Sequence, residues 1–210
     1  MQEFHTEKAE LIMTLRGMGV LDPAVLSAIE AVPRELFVPA ALRQHAYENA
    51  SLPIALDQTI SQPYVVARMT EALQLTGRER VLEIGCGSGY QAAILTFLCR
   101  RVYSMERLKP LLVDAENKLR DLRISNISLR HGDGANGWSA KGPFDGIILT
   151  AAPRRVPENL FSQLPDQGVL VAPEGSNRQQ RLLYWMKQDG IAIRHQSIDV
   201  IFVPLKSGQA

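Results

Sequence analysis

Leu11, Ile12, Leu15 and Met18 recur at helical spacing and make one apolar face, with Gly17 and Gly19 as stops. Asp22-Pro23 then reads as an N-cap followed by proline at the first helical position. Val25, Leu26 and Ile29 give a second short helix that ends before Pro33. A connector at 33–39 leads to an expected third helix at 40–47. Residues 49–62 show neither the helical period nor clean alternation, which predicts a long loop of the kind that usually carries function. Residues 64–75 are helical again, with Val65, Met69, Ala72 and Leu73 on one face and Ser61 placed as the N-cap.

From residue 79 onward apolar runs and helical stripes alternate. Strands are expected at 80–84, 102–105, 127–129, 144–150 and 168–172, with helices at 91–98, 108–122 and 159–164 between them. The 144–150 run is almost wholly apolar, as a strand buried on both faces should be. Residues 181–187 and 191–203 read as a closing hairpin about Asp189-Gly190. This alternation argues an α/β protein with a doubly wound, mostly parallel, Rossmann-like sheet, an antiparallel C-terminal hairpin and an N-terminal helical cover. One domain over 1–210 is expected, with 1–60 as the cover and loop and 61–210 as the α/β core.

Composition narrows the partners. The formal net charge is +1 over 210 residues, so no strong field draws the chain to nucleic acid or to a membrane. Cys86 and Cys99 are too few for a secreted disulfide framework. The chain begins without a basic, then apolar, leader, and no apolar run reaches about 18 residues. A cytoplasmic protein is expected, with a monomer as the default because the sequence is silent on assembly. The four histidines His5, His45, His131 and His195 form no ligand pattern, and no metal is expected.

The chemistry centres on Val81-Leu82-Glu83-Ile84-Gly85-Cys86-Gly87-Ser88-Gly89-Tyr90: a strand, three glycines at alternate positions, and a helix start. Such a turn lets a ligand approach the backbone, and a helix N-terminus favours a carboxylate or phosphate. Glu106 ends the next strand 21 positions after Gly85, close to the spacing of about 20 expected for an acid that accepts from ribose hydroxyls. Asp133, between Gly132 and Gly134 after the third strand, is placed to accept the amino group of an adenine. NAD and S-adenosylmethionine both carry these groups. The dinucleotide fingerprint wants a small residue three positions after Gly87, where this chain has Tyr90, so the pattern leans to S-adenosylmethionine.

Glu83-Ile84-Gly85-Cys86-Gly87-Ser88-Gly89 resembles the first motif of class I methyltransferases. Together with Gln58-Thr59-Ile60-Ser61-Gln62-Pro63, His131-Gly132-Asp133-Gly134, Pro143-Phe144-Asp145 and Thr150-Ala151-Ala152-Pro153, it resembles the protein-L-isoaspartate (D-aspartate) O-methyltransferase family in its bacterial form. The likeness runs from about residue 32 to 205. It implies methyl transfer from S-adenosyl-L-methionine, leaving S-adenosyl-L-homocysteine, to the free α-carboxylate of L-isoaspartyl residues in damaged proteins and peptides. It implies Ser61 as the active-site residue, with Ile54, Thr59 and Ile60 on the substrate side and Thr59 to Ser61 also touching cofactor. Thr150, Ala151 and Ala152 would border the methyl-transfer site. Glu83, Gly85, Gly87, Ser88 and Gly89 would hold the methionine end, Glu106 and Arg107 the ribose region, and Asp133 with Gly134 the adenine end.

The chain departs from the family pattern in two places. Pro53-Ile54-Ala55-Leu56-Asp57-Gln58 stands where a glycine-rich Pro-Ile-Gly-x-Gly-Gln is usual, and Pro173-Glu174-Gly175 replaces Pro-Val-Gly. Both add an acid beside a site meant for a carboxylate. The alternatives left open are a methyltransferase of a small-molecule acid or amine, and a cofactor-binding module without catalysis.

Overall fold

The computed structural model describes residues 4–176 and 179–210. The cover opens with α1 (His5–Gly17), which buries Leu11, Ile12 and Leu15. Met18 lies past its last turn and is largely exposed, because the helix stops at Gly17 before Met18 can join that face. In α2 (Pro23–Ala31) the Asp22 carboxylate accepts from the Ala24 and Val25 amides, and Pro23 opens the first turn. The expected third helix is a 3-10 turn, Ala40–His45, that buries none of its own residues. Without an apolar stripe to dock, nothing draws that segment into a longer α-helix.

Residues 49–62 form a small hairpin rather than an irregular loop. β1 (Leu52–Pro53) pairs antiparallel with β2 (Thr59–Ile60), Leu52 facing Ile60 and Pro53 facing Thr59. Two-residue strands are too short for alternation to show in the sequence. The tip turns through Leu56 and Asp57, both left-handed at φ 58° and 55°. The next helix, α3 (Pro63–Ala72), starts one residue later than its expected cap: Gln62 occupies that position, and Ser61 lies outside the helix. The capping oxygen comes from afar, since the Tyr64 amide donates to Asn49 Oδ1 at 3.0 Å.

The remaining elements are β3 (Arg80–Ile84), α4 (Tyr90–Thr96), β4 (Arg101–Glu106), α5 (Lys109–Asp121), β5 (Ile127–His131), β6 (Gly146–Leu149), α6 (Glu158–Phe161), β7 (Val169–Ser176), β8 (Gln179–Gln188) and β9 (Ile191–Val200). They build a seven-stranded sheet in the order β5-β4-β3-β6-β7-β8-β9, parallel from β5 to β7 and antiparallel through β8 and β9. Asp189 and Gly190 turn the closing hairpin with positive φ at both positions, as a tight two-residue hairpin requires. Ile147, Ile148 and Leu149 of β6 are fully buried, which explains the unbroken apolar run. The order reverses between β3 and β6, and the C-terminal ends of those strands open the crevice where such sheets bind ligands.

The cover is part of the core rather than an appendage. Leu15, Ile29, Phe37 and Ile60 pack in one apolar cluster with Tyr90 and Ile94 of α4. The hairpin carrying Thr59 and Ile60 is thereby held against the sheet's ligand edge.

Candidate functional site

A cavity of about 240 Å³ opens at the switch point between β3 and β6. On one side it is bordered by the β1–β2 hairpin and its exit, residues 56–61. Opposite stand Gly85, Gly87 and Ser88 after β3, and Glu106 and Arg107 after β4. Gly134, Thr150 and Ala151 complete the rim. Thus Thr59, Ile60 and Ser61, 24 or more residues before Gly85 in the chain, face the glycine turn across one space.

Two glycines of the rim are required by the protein's own packing. Gly85 has φ +100°, and a β-carbon there would stand 2.4 Å from Thr150 Oγ1. A β-carbon on Gly134 would stand 2.3 Å from Ile84 Cγ2. The Gly85 and Cys86 amides both donate to the Met105 carbonyl, which pins the turn to β4. Thr150 locks the other flank: its amide and hydroxyl donate to the Ile84 carbonyl, and the hydroxyl also donates to the Gly85 carbonyl. The Thr150 hydroxyl is therefore engaged with backbone and shapes the wall.

Glu106 is 6% exposed and accepts from the Gly87 amide at 2.9 Å through Oε2 and from the Leu108 amide at 3.0 Å through Oε1. These bonds aim the carboxylate at the cavity and leave each oxygen a further lone pair for ribose hydroxyls. The set fits an adenosyl ligand: a glycine turn at the cavity edge, an acceptor-only acid beside it, and no side chain at Gly134. Arg107 lines the cavity and carries a buried Nε without a hydrogen-bond partner.

Several expected residues lie elsewhere. Glu83 is fully buried behind the turn, where Ser104 Oγ donates to its Oε2 and its Oε1 has no partner. Desolvation raises its pKa to about 8, against the lowering effect of the Ser104 hydrogen bond and with a smaller push from the Glu106 charge. A direct contact with ligand is not what this side chain makes; it braces β3 against β4. Gly89 caps α4 with φ +89° and packs towards Ala115. Ile54 starts the hairpin turn, its amide donating to the Gln58 carbonyl. Ala152 pairs with the chain's last segment instead of bordering the cavity. Asp133 stands behind Gly134: its Oδ1 accepts from the Ala135 amide at 2.9 Å and its Oδ2 from the Gly208 amide at 2.7 Å.

That last segment supplies a wall the sequence did not announce. The Ala152 amide donates to Val203 O and the Leu205 amide to Ala152 O, each at 2.8 Å. Residues 203–206 thereby line the cavity before the chain reaches Gly208 and pairs Ala210 with Arg107 and Lys109. β9 stops at Val200, short of the expected 203, because residues 203–205 pair with Ala152 instead of continuing the hairpin. Tyr90 and Gln91 of α4 also line the space. Of the two added acids, Asp57 borders the cavity, whereas Glu174 turns away and accepts from the Val156 amide at 2.9 Å.

Comparison with known proteins agrees with this geometry. The family model described as Protein-L-isoaspartate(D-aspartate) O-methyltransferase matches residues 6–210. A protein-L-isoaspartate O-methyltransferase of Parvibaculum lavamentivorans is 49% identical over all of this chain and 96% of its own. That of Serratia proteamaculans is 51% identical over 95% of each chain. A solved protein-L-isoaspartate O-methyltransferase, 28% identical, superposes with a TM-score of 0.85 over 95% of this chain and 66% of that longer one. With its sequence matched almost end to end, the chain belongs to the protein-L-isoaspartate (D-aspartate) O-methyltransferase family.

Proposed function

We propose that the protein transfers a methyl group from S-adenosyl-L-methionine to the free α-carboxylate of L-isoaspartyl residues in damaged proteins and peptides. The observation that carries this reading is that the Thr59-Ile60-Ser61 arm, the glycine turn and Glu106 line one cavity. When bound, the cofactor supplies an electrophilic methyl on a sulfonium. The carboxylate that receives it is already ionised near neutral pH, so no general base is needed. The protein's task is placement and exclusion of water.

Ser61 lies at the hairpin exit and offers a hydroxyl that donates one hydrogen bond to a carboxylate oxygen, leaving the other free to attack. Ile60, Ile84 and Leu205 give the cavity apolar walls. Ala151 leaves room for a backbone-like substrate. Gly85, Gly87 and Ser88 hold the methionine end, Glu106 and Arg107 the ribose region, and Gly134 the adenine end. Residues 1–60 act as cover and substrate arm, and 61–210 as the cofactor-binding core. The methyl ester product closes to a succinimide without the enzyme, and hydrolysis returns some normal aspartate; this is protein repair.

Among the described residues no helix is long and apolar enough to cross a membrane. Work on damaged proteins in the cytoplasm as a monomer, without nucleic acid, completes the reading. The test uses methyl-labelled S-adenosylmethionine and two peptides that differ only in an L-isoaspartyl or a normal aspartyl link. Base-labile label on the isoaspartyl peptide alone supports the proposal. Label on small carboxylic acids but on neither peptide would replace it with a small-molecule methyltransferase.

A further inference from the structure

Arg34 is a fully buried cation with no carboxylate in hydrogen-bond contact among the described residues. Its Nε donates to the Ala46 carbonyl at 2.8 Å, and its Nη2 donates to the Ala50 carbonyl at 3.3 Å and to the Ser61 carbonyl at 2.8 Å. Its guanidinium carbon stands 4.7 Å from the centre of the Tyr90 ring. Burying a charge against dipoles and a ring face alone is costly, so a fold that needed only apolar filler here would do better with a neutral side chain. Three segments meet at this one group: the 3-10 turn and its exit through Ala46 and Ala50, the hairpin exit through Ser61, and the first residue of α4. Two of its partners, Ser61 and Tyr90, border the cavity, whereas Arg34 itself lies behind them.

We propose that Arg34 is a positioning residue for substrate: it holds Ser61 by the backbone carbonyl, and so sets where the Ser61 hydroxyl meets the isoaspartyl carboxylate. This rests on the function proposed above. A planar fork with fixed donors suits the task, because it constrains the carbonyls it binds relative to one another; a lysine offers a flexible point charge instead. Its place one layer back also matters for the reaction. A guanidinium in direct contact would pair with both carboxylate oxygens and withdraw charge from the one that must attack. Behind Ser61, the cation orders the donor without tying up the nucleophile.

The test is a double-mutant cycle with Arg34→Lys and Ser61→Ala, read as kcat/KM on the isoaspartyl peptide. Affinity for S-adenosylhomocysteine, measured by calorimetry, serves as the control for an intact cofactor site. In the wild-type background Arg34→Lys is expected to lower kcat/KM by about 10- to 100-fold, the scale of a lost hydrogen bond to a charged group. In the Ser61→Ala background the same change should lower it by less than about threefold, because the backbone carbonyl remains but the hydroxyl that Arg34 positions is already gone. Cofactor affinity should stay within about twofold. A merely structural role would weaken both ligands and give additive losses.

Additive losses, or a Lys variant with wild-type kcat/KM, would overturn the assignment. Arg34→Met, neutral and of similar length, gives the same cycle if the lysine variant does not fold. A wild-type protein that leaves the isoaspartyl peptide unlabelled refutes the parent function; a wild-type protein that labels it while the cycle is additive refutes only the role of Arg34.

Discussion

The Gly208 amide donates to Asp133 Oδ2 at 2.7 Å, tying the chain's last segment to the carboxylate just before Gly134 at the cavity rim. The other oxygen caps the short turn after β5 through the Ala135 amide. One carboxylate thus holds the floor beside Gly134 and the strap formed by residues 203–208. Asp133→Ala is expected to remove both bonds at once. Cofactor affinity should fall by about tenfold, and stability by about 1 kcal/mol for the lost cap. Calorimetry with S-adenosylhomocysteine and urea unfolding would check the two effects separately. A variant with normal affinity would show that neither the strap's anchor nor this acid reaches the cofactor.

Asp57 stands at the tip of the substrate hairpin with φ 55°, next to Leu56 at φ 58°, and borders the cavity. It is exposed at the rim of a space proposed to accept another carboxylate, and like charges there weaken binding more at low salt than at high salt. Asp57→Gly should lower the KM for isoaspartyl peptides and leave cofactor affinity unchanged. The glycine also suits the left-handed backbone. Steady-state kinetics at low and high salt would show the difference shrinking as salt rises. An unchanged KM would place the carboxylate in solvent, out of the substrate's way.

Ser61 is expected to act as a donor and not as an acid or base. Ser61→Ala should lower kcat/KM for isoaspartyl peptide by about 10- to 100-fold, the scale of one hydrogen bond to a charged acceptor. Cofactor affinity should change little, because the turn, Glu106 and Gly134 remain. The pH profile of kcat/KM above pH 6 should keep its shape, since no proton moves through this hydroxyl. A profile that changes shape would assign it a proton-transfer role.

Much of this architecture was legible because it is local. The glycine turn, the acid 21 positions on and the apolar run of β6 each follow from short-range chemistry, and the sheet is mostly parallel with an antiparallel closing hairpin, as the alternation implies. Ser61 was misread as a helix cap because Asn49, fifteen residues away from Tyr64, supplies the oxygen instead. Arg34 and residues 203–206 reach the site through contacts with distant segments, which no periodicity in their own neighbourhood records. Glu83 shows a different limit. Its motif marks the turn, but only the pairing of β3 with β4 reveals that its side chain faces Ser104 inside the protein.

That buried carboxyl predicts a pH dependence. Folding raises the pKa of Glu83 to about 8 from its ordinary value of 4.5, chiefly by desolvation. The folded state therefore binds a proton across that window while the unfolded chain has lost it, and stability falls as pH rises from about 4.5 to about 8. Below the window the stabilisation is complete; above it the folded protein carries a buried charge with one oxygen unpartnered. Glu83→Gln is neutral at every pH and should remove this slope. Its Tm should match that of the wild type near pH 5 and exceed it near pH 9. Because β3 leads directly into Gly85, the wild type's affinity for S-adenosylhomocysteine should weaken over the same interval while that of the variant stays level. Parallel Tm profiles for the two proteins would mean that Glu83 is already ionised at neutral pH, with Ser104 sufficient to hold the charge.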